Sequence, residues 1–475
     1  MKIQSCLLAL LLAALLHPLA RGQSRVAGPG SMAPAGPSSL SSRADCSPAP
    51  CVLPPTQASE GPYASTFAPV AASSKNPADL IVGSLDSNCG AFIPGFHVSS
   101  DAGATWNTTC LAYFSEFGRE WEPGGLPLVG YDLKGTAYIA GYYQDTDTGY
   151  YSLMGVETST DGVTWSTPTA AVGSGESEIY WAALAVDESP VSSYTNSVYV
   201  GGVNLYGNQL LVSHSRDEGS TWTQDLVAAD ANSVDYNPSL TVGKDGTVYL
   251  AWMHCPPAGG GIYCANSIEN VAFSQSSDGG VTWSKPKIIT KVLEVPSACG
   301  CWNFGAIPNT TIAAPNTPAL GVDNRSGPYS GRLYATMFEW TGTYMRVQVI
   351  HSTDGGSTWS QPVPIAPPSD THDQFFPWLS VSPMGLVGVS WFDRRNDPAN
   401  FNYQAYAAIS SDGGESFQPN VKLTSAFSDP EGNARMSLGS YAGNTWDGPN
   451  YFIAAWMDTS YGDGSQDAVG GIRLK

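Results

Sequence analysis

Six stretches decide the fold: SSDAGATW at Ser99–Trp106, STDGVTW at Ser159–Trp165, SRDEGSTW at Ser215–Trp222, SSDGGVTW at Ser276–Trp283, STDGGSTW at Ser352–Trp359 and SSDGGESF at Ser410–Phe417. Their aspartates, Asp101, Asp161, Asp217, Asp278, Asp354 and Asp412, lie 56 to 76 residues apart. A unit of about 60 residues recurring six times marks a repeat architecture. Each copy has a mechanical reading. The Ser and Asp side chains can bond nearby backbone N–H groups and so hold a tight turn. The glycine supplies the positive φ of that turn, and the Trp or Phe points into apolar surroundings as the next strand begins.

Working outward, each copy follows an alternating run, such as NVAFSQ before Ser276 or RVQVIH before Ser352, and precedes a short strand such as WSKPKII. Each copy is therefore expected to be the hairpin turn between two antiparallel strands. Two more strands precede every hairpin. One pair is NPSLTVG from Asn237 and TVYLAWMH from Thr247, joined by a KDG turn. A seventh unit starts near Arg435 with RMSLGSY, continues with YFIAAWMD and ends with AVGGIRL, without the Asp turn or a fourth strand. The expected fold is all-β: a seven-bladed β-propeller of four-stranded antiparallel blades, occupying residues 62–475 as one domain. The segment from Cys51 to Thr66 is expected to complete blade 7.

The composition agrees with an all-β chain. Among 475 residues there are 51 Gly and 35 Pro, and only 13% are charged, which excludes a mainly helical protein. A hydrophobic content of 42% excludes disorder over the whole length. The net charge of −20, with no basic run, argues against nucleic acid or an anionic membrane as partner.

Residues 1–22 read as a signal peptide. Lys2 opens it, Leu7–Leu16 forms an apolar stretch too short to span a bilayer, and cleavage is expected after Gly22. Residues 23–61 form a Pro/Ser/Ala-rich linker, its last part available for ring closure. No other long apolar run occurs, so the mature protein is expected to be secreted or periplasmic, without a transmembrane segment and monomeric. Export permits disulfides. Near-neighbour pairing gives Cys46–Cys51, Cys89–Cys110 and Cys255–Cys264, while Cys299 and Cys301 in ACGCW are too close for an unstrained bridge. Zinc needs paired thiolates that CGC alone does not supply, and sequence does not fix the connectivity.

The recurring S/T-x-D-x-G-x-x-W/F resembles the Asp box, or BNR repeat, of the sialidase and neuraminidase β-propellers. The resemblance implies that these boxes join the third and fourth strands at the periphery, as scaffold rather than catalytic sites. It also implies exo-sialidase-like glycoside hydrolysis. That family holds its substrate carboxylate with three arginines and uses a tyrosine nucleophile activated by a glutamate, with an aspartate as acid/base. The family's first arginine lies in an Arg-Ile-Pro motif; the stretch AFIPGF at Ala91–Phe96 stands there without an arginine. Family sialidases usually have six blades, and seven are expected here.

In a propeller, the loops leading into the innermost strands and those between second and third strands share one face. The sequence places Asp373 and the WFDRRNDP loop (Asp393, Arg394, Arg395, Asn396, Asp397) there from blade 6, and Arg435, Tyr441 and Asp458 from blade 7. Blade 4 adds Asp235, Tyr236 and His254; blade 3 adds Glu178 and Tyr180. The candidate catalytic residues are Tyr441, Asp458 and Asp373, with Tyr441 as nucleophile and Asp458 or Glu178 as its base. The two-carboxylate arrangement of ordinary glycosidases is the alternative. Arg394, Arg395, Arg435 and Tyr236 are the candidate substrate-binding residues, because guanidinium binds carboxylate or sulfate bidentately. The expected partner is an acidic glycan. The alternative for DRRND is a self-satisfied ion-pair loop. No cofactor is called for, although Asp373, Asp397 and Asp458 offer oxygen ligands of the kind calcium takes. A non-catalytic glycan- or protein-binding propeller and a polysaccharide lyase are the competing functions.

Overall fold

The computed structural model describes residues 46–475 except 60–64, 91–92, 231, 257–267, 299–304, 433–437, 439–441 and 462–463. The signal peptide expected at 1–22 and the linker up to residue 45 lie outside the described residues. Among the described residues every regular element is a strand. The strands form seven antiparallel sheets taken in chain order, the blades of a seven-bladed β-propeller.

The innermost strands are Val70–Ala72, Arg119–Tyr131, Ile179–Val186, Val234–Val242, Ala319–Val322, Gln374–Val381 and Asn444–Asp447. Together they wall a central channel of about 330 Å³. Neighbouring inner strands approach closely at glycines. A Cβ on Gly130 would meet Leu184 of the next blade at 2.7 Å, and one on Gly321 would meet Leu379 at 2.4 Å. Between the blades lie apolar cores, with Trp121, Trp252, Trp391 and Trp456 among the largest fully buried side chains.

The six aspartate turns lie between third and fourth strands. In the fourth, Ser276 Oγ donates to Asp278 at 2.8 Å and accepts from Gly280 N–H at 2.8 Å. Asp278 accepts from Thr282 N–H at 2.8 Å and from its hydroxyl at 2.6 Å. Trp283 Nε1 closes the turn on Gly280 O at 3.0 Å. The same Ser and Asp bonds recur at Asp101, Asp217, Asp354 and Asp412. These bonds hold the Asp278 and Asp354 carboxyls down at about 2.

The ring closes through the chain's early residues. Cys51–Gln57 pairs with Gln466–Arg473 as the outermost strand of blade 7. Ser59 Oγ donates to Gln466 at 2.7 Å, and Arg473 donates to Cys46 O at 2.9 Å. Disulfides join Cys46 to Cys51 and Cys89 to Cys110. Cys255 is also disulfide-bonded; its expected partner Cys264, with Cys299 and Cys301, lies outside the described residues.

Three details differ from the sequence reading. Blade 2 carries a fifth strand, Phe114–Glu116, hairpinned onto the long Arg119–Tyr131. Blade 1 begins with two short pieces, Ser65–Thr66 and Val70–Ala72, on one partner strand. Phe67 at φ 67° and Pro69, which lacks an N–H, separate them. The described innermost strand of blade 7 is Asn444–Asp447, later than the expected stretch around 435–441. Asn444 fixes it by donating to Trp378 O at 2.6 Å and to Ser390 Oγ at 2.8 Å on blade 6.

Candidate functional site

The upper face carries the loops leading into the inner strands and those between second and third strands. The inner strands share a device just below it. Leu126, Trp181, Asn237 and Phe376 are left-handed (φ 43–52°), and the register slips around each. Such bulges re-aim side chains. Aromatic rings contact one another beside three of them. Tyr142 and Tyr180 lie 5.6 Å apart between centroids, Tyr180 and Trp181 5.3 Å, and Trp181 and Tyr236 5.7 Å. This run crosses blades 2, 3 and 4. Tyr142, Tyr180 and Trp181 are half-buried, and Tyr206 in the adjoining blade 3 loop is 49% exposed.

Carboxyls accompany the rings. Glu178, two residues before Tyr180, is half-buried, and burial pushes its carboxyl up. Its N–H donates to Asn204 Oδ1 at 3.1 Å, and its carbonyl accepts from Leu205 N–H at 2.9 Å. The same loop reaches blade 4, where Asn208 donates to Asp235 at 3.3 Å. Asp235 lies 2.7 Å from His254 Nδ1 and accepts from Trp252 Nε1 at 2.8 Å. The Asp235 bond holds the half-buried His254 imidazole above its usual range, against the effect of burial.

Tyr236 donates its hydroxyl to Glu269. Both are buried in the blade 4 core, and burial raises Glu269 to about 7. Burial and the Glu269 carboxylate push the Tyr236 phenol well up. Glu294 nearby is half-buried and raised to about 8 by burial and then by Glu269. The structure thus places Tyr236 at the inner end of the aromatic run, with its hydroxyl turned to a glutamate.

The blade 6 residues are tied to one another. Arg394 and Asp373 are both fully buried. Arg394 Nη1 lies 3.2 Å from Asp373 Oδ2 and donates to Pro308 O at 2.8 Å and Asn400 O at 3.0 Å. Asp373 also accepts from Met345 N–H at 2.9 Å and Asn400 Nδ2 at 2.8 Å. Arg395 lies 3.0 Å from Asp370, donates to Asp393 at 2.9 Å and stacks 4.4 Å over Tyr406. Asp458 is buried; it caps its own loop through Ser460 N–H at 2.8 Å and accepts from Trp456 Nε1 at 3.2 Å. Asp393 repeats this on blade 6, accepting from Trp391 Nε1 at 2.8 Å and Arg395 N–H at 2.8 Å. The Trp-x-Asp strings WMD and WFD encode one turn device twice. Arg435 and Tyr441 lie outside the described residues.

Among the described residues, no group of three or more His, Cys, Asp or Glu side chains is arranged to hold a metal ion. No described helix is long and apolar enough to cross a membrane. The sequence reading named Glu178, Tyr180 and Tyr236 but missed Glu269, Glu294 and the part played by Trp181. The signal for Trp181 was its place at the start of an inner strand, the position Phe376 holds in blade 6. Nothing local marks Glu269, which meets Tyr236 from two strands away.

Known structures match the chain at low likeness. A protein of unknown function from Dyadobacter fermentans superposes with a TM-score of 0.48 at 13% identity, covering 89% of this chain and 99% of that one. The Hadza microbial sialidase gives 0.46 at 15% identity, covering 83% and 76%. An α-L-arabinanase from Penicillium chrysogenum gives 0.40 at 16% identity, covering 62% and 93%. No family model and no curated protein matches the sequence. At such scores these likenesses carry no argument about activity, which rests on the chain's own residues.

Proposed function

We propose that this propeller is an exported glycosidase that binds a glycan on the upper face of blades 2 to 4 and hydrolyses a glycosidic bond with Glu178 as proton donor. The observation that supports it is the set of half-buried rings Tyr142, Tyr180 and Trp181, in contact with one another, with Glu178 two residues before Tyr180. Aromatic rings offer a sugar flat apolar faces and hydroxyl partners in one surface. A glycosidic oxygen needs a carboxyl that still carries its proton near neutrality. Burial moves Glu178 in that direction.

The test is turnover on a panel of aryl glycosides and oligosaccharides. Glu178→Gln is expected to lose turnover while retaining binding. If Glu178→Gln is as active as the parent, the assignment is wrong. Arg435→Ala and Tyr441→Phe belong in the same assay. Loss of turnover in those two with Glu178→Gln unaffected would move the chemistry to blade 7, as the resemblance to sialidases implies. Binding without turnover across the panel would favour a non-catalytic lectin-like propeller, and unsaturated products absorbing in the ultraviolet would favour a lyase.

A further inference from the structure

We infer that the glycan site continues outward onto a second group of rings, Tyr150 and Tyr151 of blade 2 and Tyr206 of blade 3, and that its substrate is a chain of linked sugars. This inference rests on the reading of Glu178 as the acid of a glycan site and adds the length of substrate which that site takes. Main-chain bonds fix Glu178 from both sides. From blade 2, Ser152 N–H donates to Ser177 O at 2.8 Å, and Ser152 Oγ donates to Ile179 O at 2.9 Å. From blade 3, Asn204 Oδ1 accepts from Glu178 N–H at 3.1 Å, and Leu205 N–H donates to Glu178 O at 2.9 Å. Each clamp runs directly into tyrosine: Tyr150 and Tyr151 precede Ser152, and Tyr206 follows Leu205. The Asn204 oxygen that holds Glu178 also accepts from Tyr206 N–H at 3.2 Å, so the acid and this ring share one anchor. On blade 2, the buried Asp145 accepts from Tyr150 N–H at 3.1 Å and from Tyr151 N–H at 2.9 Å.

Tyr150 is 63% and Tyr206 49% exposed, while Tyr151 is half-buried, with the Arg119 guanidinium 4.4 Å from its ring centroid. Burial pushes the Tyr206 phenol up, and Glu178, Tyr151 and Tyr150 raise it further, as neighbours on one patch do. A single exposed ring is ordinary on a protein surface. Here rings from two successive blades border one carboxyl. Tyrosine offers a sugar a flat apolar face and a hydroxyl at little cost in side-chain entropy. The turns are already held by Asp145 and Asn204, which lowers the ordering cost of binding. A glycosidic oxygen has a sugar on each side, and the acid that protonates it meets both. Tyr142, Tyr180 and Trp181 give one of those sugars a surface; Tyr150, Tyr151 and Tyr206 give one to the other and to the units beyond it. Contacts to sugars remote from the reacting bond help the substrate reach its transition state, so catalytic efficiency should climb with chain length.

The experiment measures kcat/KM of the full chain along length series. The probes are nitrophenyl monoglycosides and oligosaccharides of about two to six units in the arabino-, xylo-, gluco- and sialo- series, a range wide enough to leave the inner rings. In the series that is cleaved, kcat/KM is expected to rise about tenfold or more from the monoglycoside to the longest member. Tyr150→Ala and Tyr206→Ala are each expected to lower that long-to-short ratio about three- to tenfold. A ratio that is flat in the parent, or that neither variant changes, overturns the inference and leaves the hydrolase reading standing. No turnover of any probe by the parent removes the hydrolase reading and the inference with it. Both tyrosines are at the surface, so the variants are expected to fold, and a thermal melt of each checks this.

Discussion

His97 Nε2 lies 3.4 Å from Asp467 Oδ2 across the seam where blade 7 meets blade 1, and 3.8 Å from Asp86 Oδ2, with all three side chains buried. Ser84 and Thr108 contact the two ring nitrogens at 3.2 and 2.9 Å. The His97 imidazole faces both buried acids. Removing one member of such a set costs more than the set itself contributes, because a charge is left without a partner. His97→Ala is therefore expected to destabilise the fold by about 3–5 kcal/mol. A urea melt of the two proteins reads this directly; a change under about 1 kcal/mol would contradict it.

Buried glutamates set the pH dependence. Burial lifts Glu157 and Glu269 to about 7 from an ordinary 4.5. The folded protein then holds these protons more tightly than the unfolded chain. Their contribution is full below pH 4.5 and is lost as pH rises through about 7. The turn aspartates act in the opposite sense. Asp278 and Asp354 fall from 3.8 to about 2, so their contribution is present above pH 3.8 and is lost as pH falls toward 2. Thermal melts across the pH range should show a mildly acidic optimum. Glu269→Gln should flatten the alkaline limb.

Arg394 discriminates between scaffold and ligand roles. Its guanidinium neutralises Asp373 and spans carbonyls from two other segments. Arg394→Met is expected to lower stability by about 3–5 kcal/mol, since Asp373 is left charged and buried. Asp373→Asn in the same background should recover part of the loss. A variant with unchanged stability and lost glycan binding would restore Arg394 to the substrate.

The aspartate turns should be dispensable for function. Asp278→Ala removes two bonds to Thr282 at the rim. The expected effect is a fall in Tm of about 1–2 °C, with glycan affinity unchanged.

The seven units were legible because a turn needs particular residues at fixed offsets, and that need repeats with every blade. The same logic made the Asp motifs readable as hairpin turns between antiparallel strands. The site was less legible. Asp373, Asp458 and Arg394 fall on the expected face, yet a sequence does not say whether a polar group turns outward or spends its bonds on neighbours. Trp456 and Asp458 settle that by a contact two residues apart. Tyr236 and Glu269, or His97 and Asp467, meet only after blades stack, and no spacing along the chain announces them.

The strand Cys51–Gln57 finds its partner in Gln466–Arg473, so a chain emerging from a ribosome or translocon offers its first blade-forming strand long before the complement exists. That early edge must wait, unpaired and able to template other strands, until nearly the whole polypeptide has been delivered. A truncation late in the gene would thus cripple more than its own blade: it would leave both lips of the ring open, and the yield of folded protein would be the first casualty.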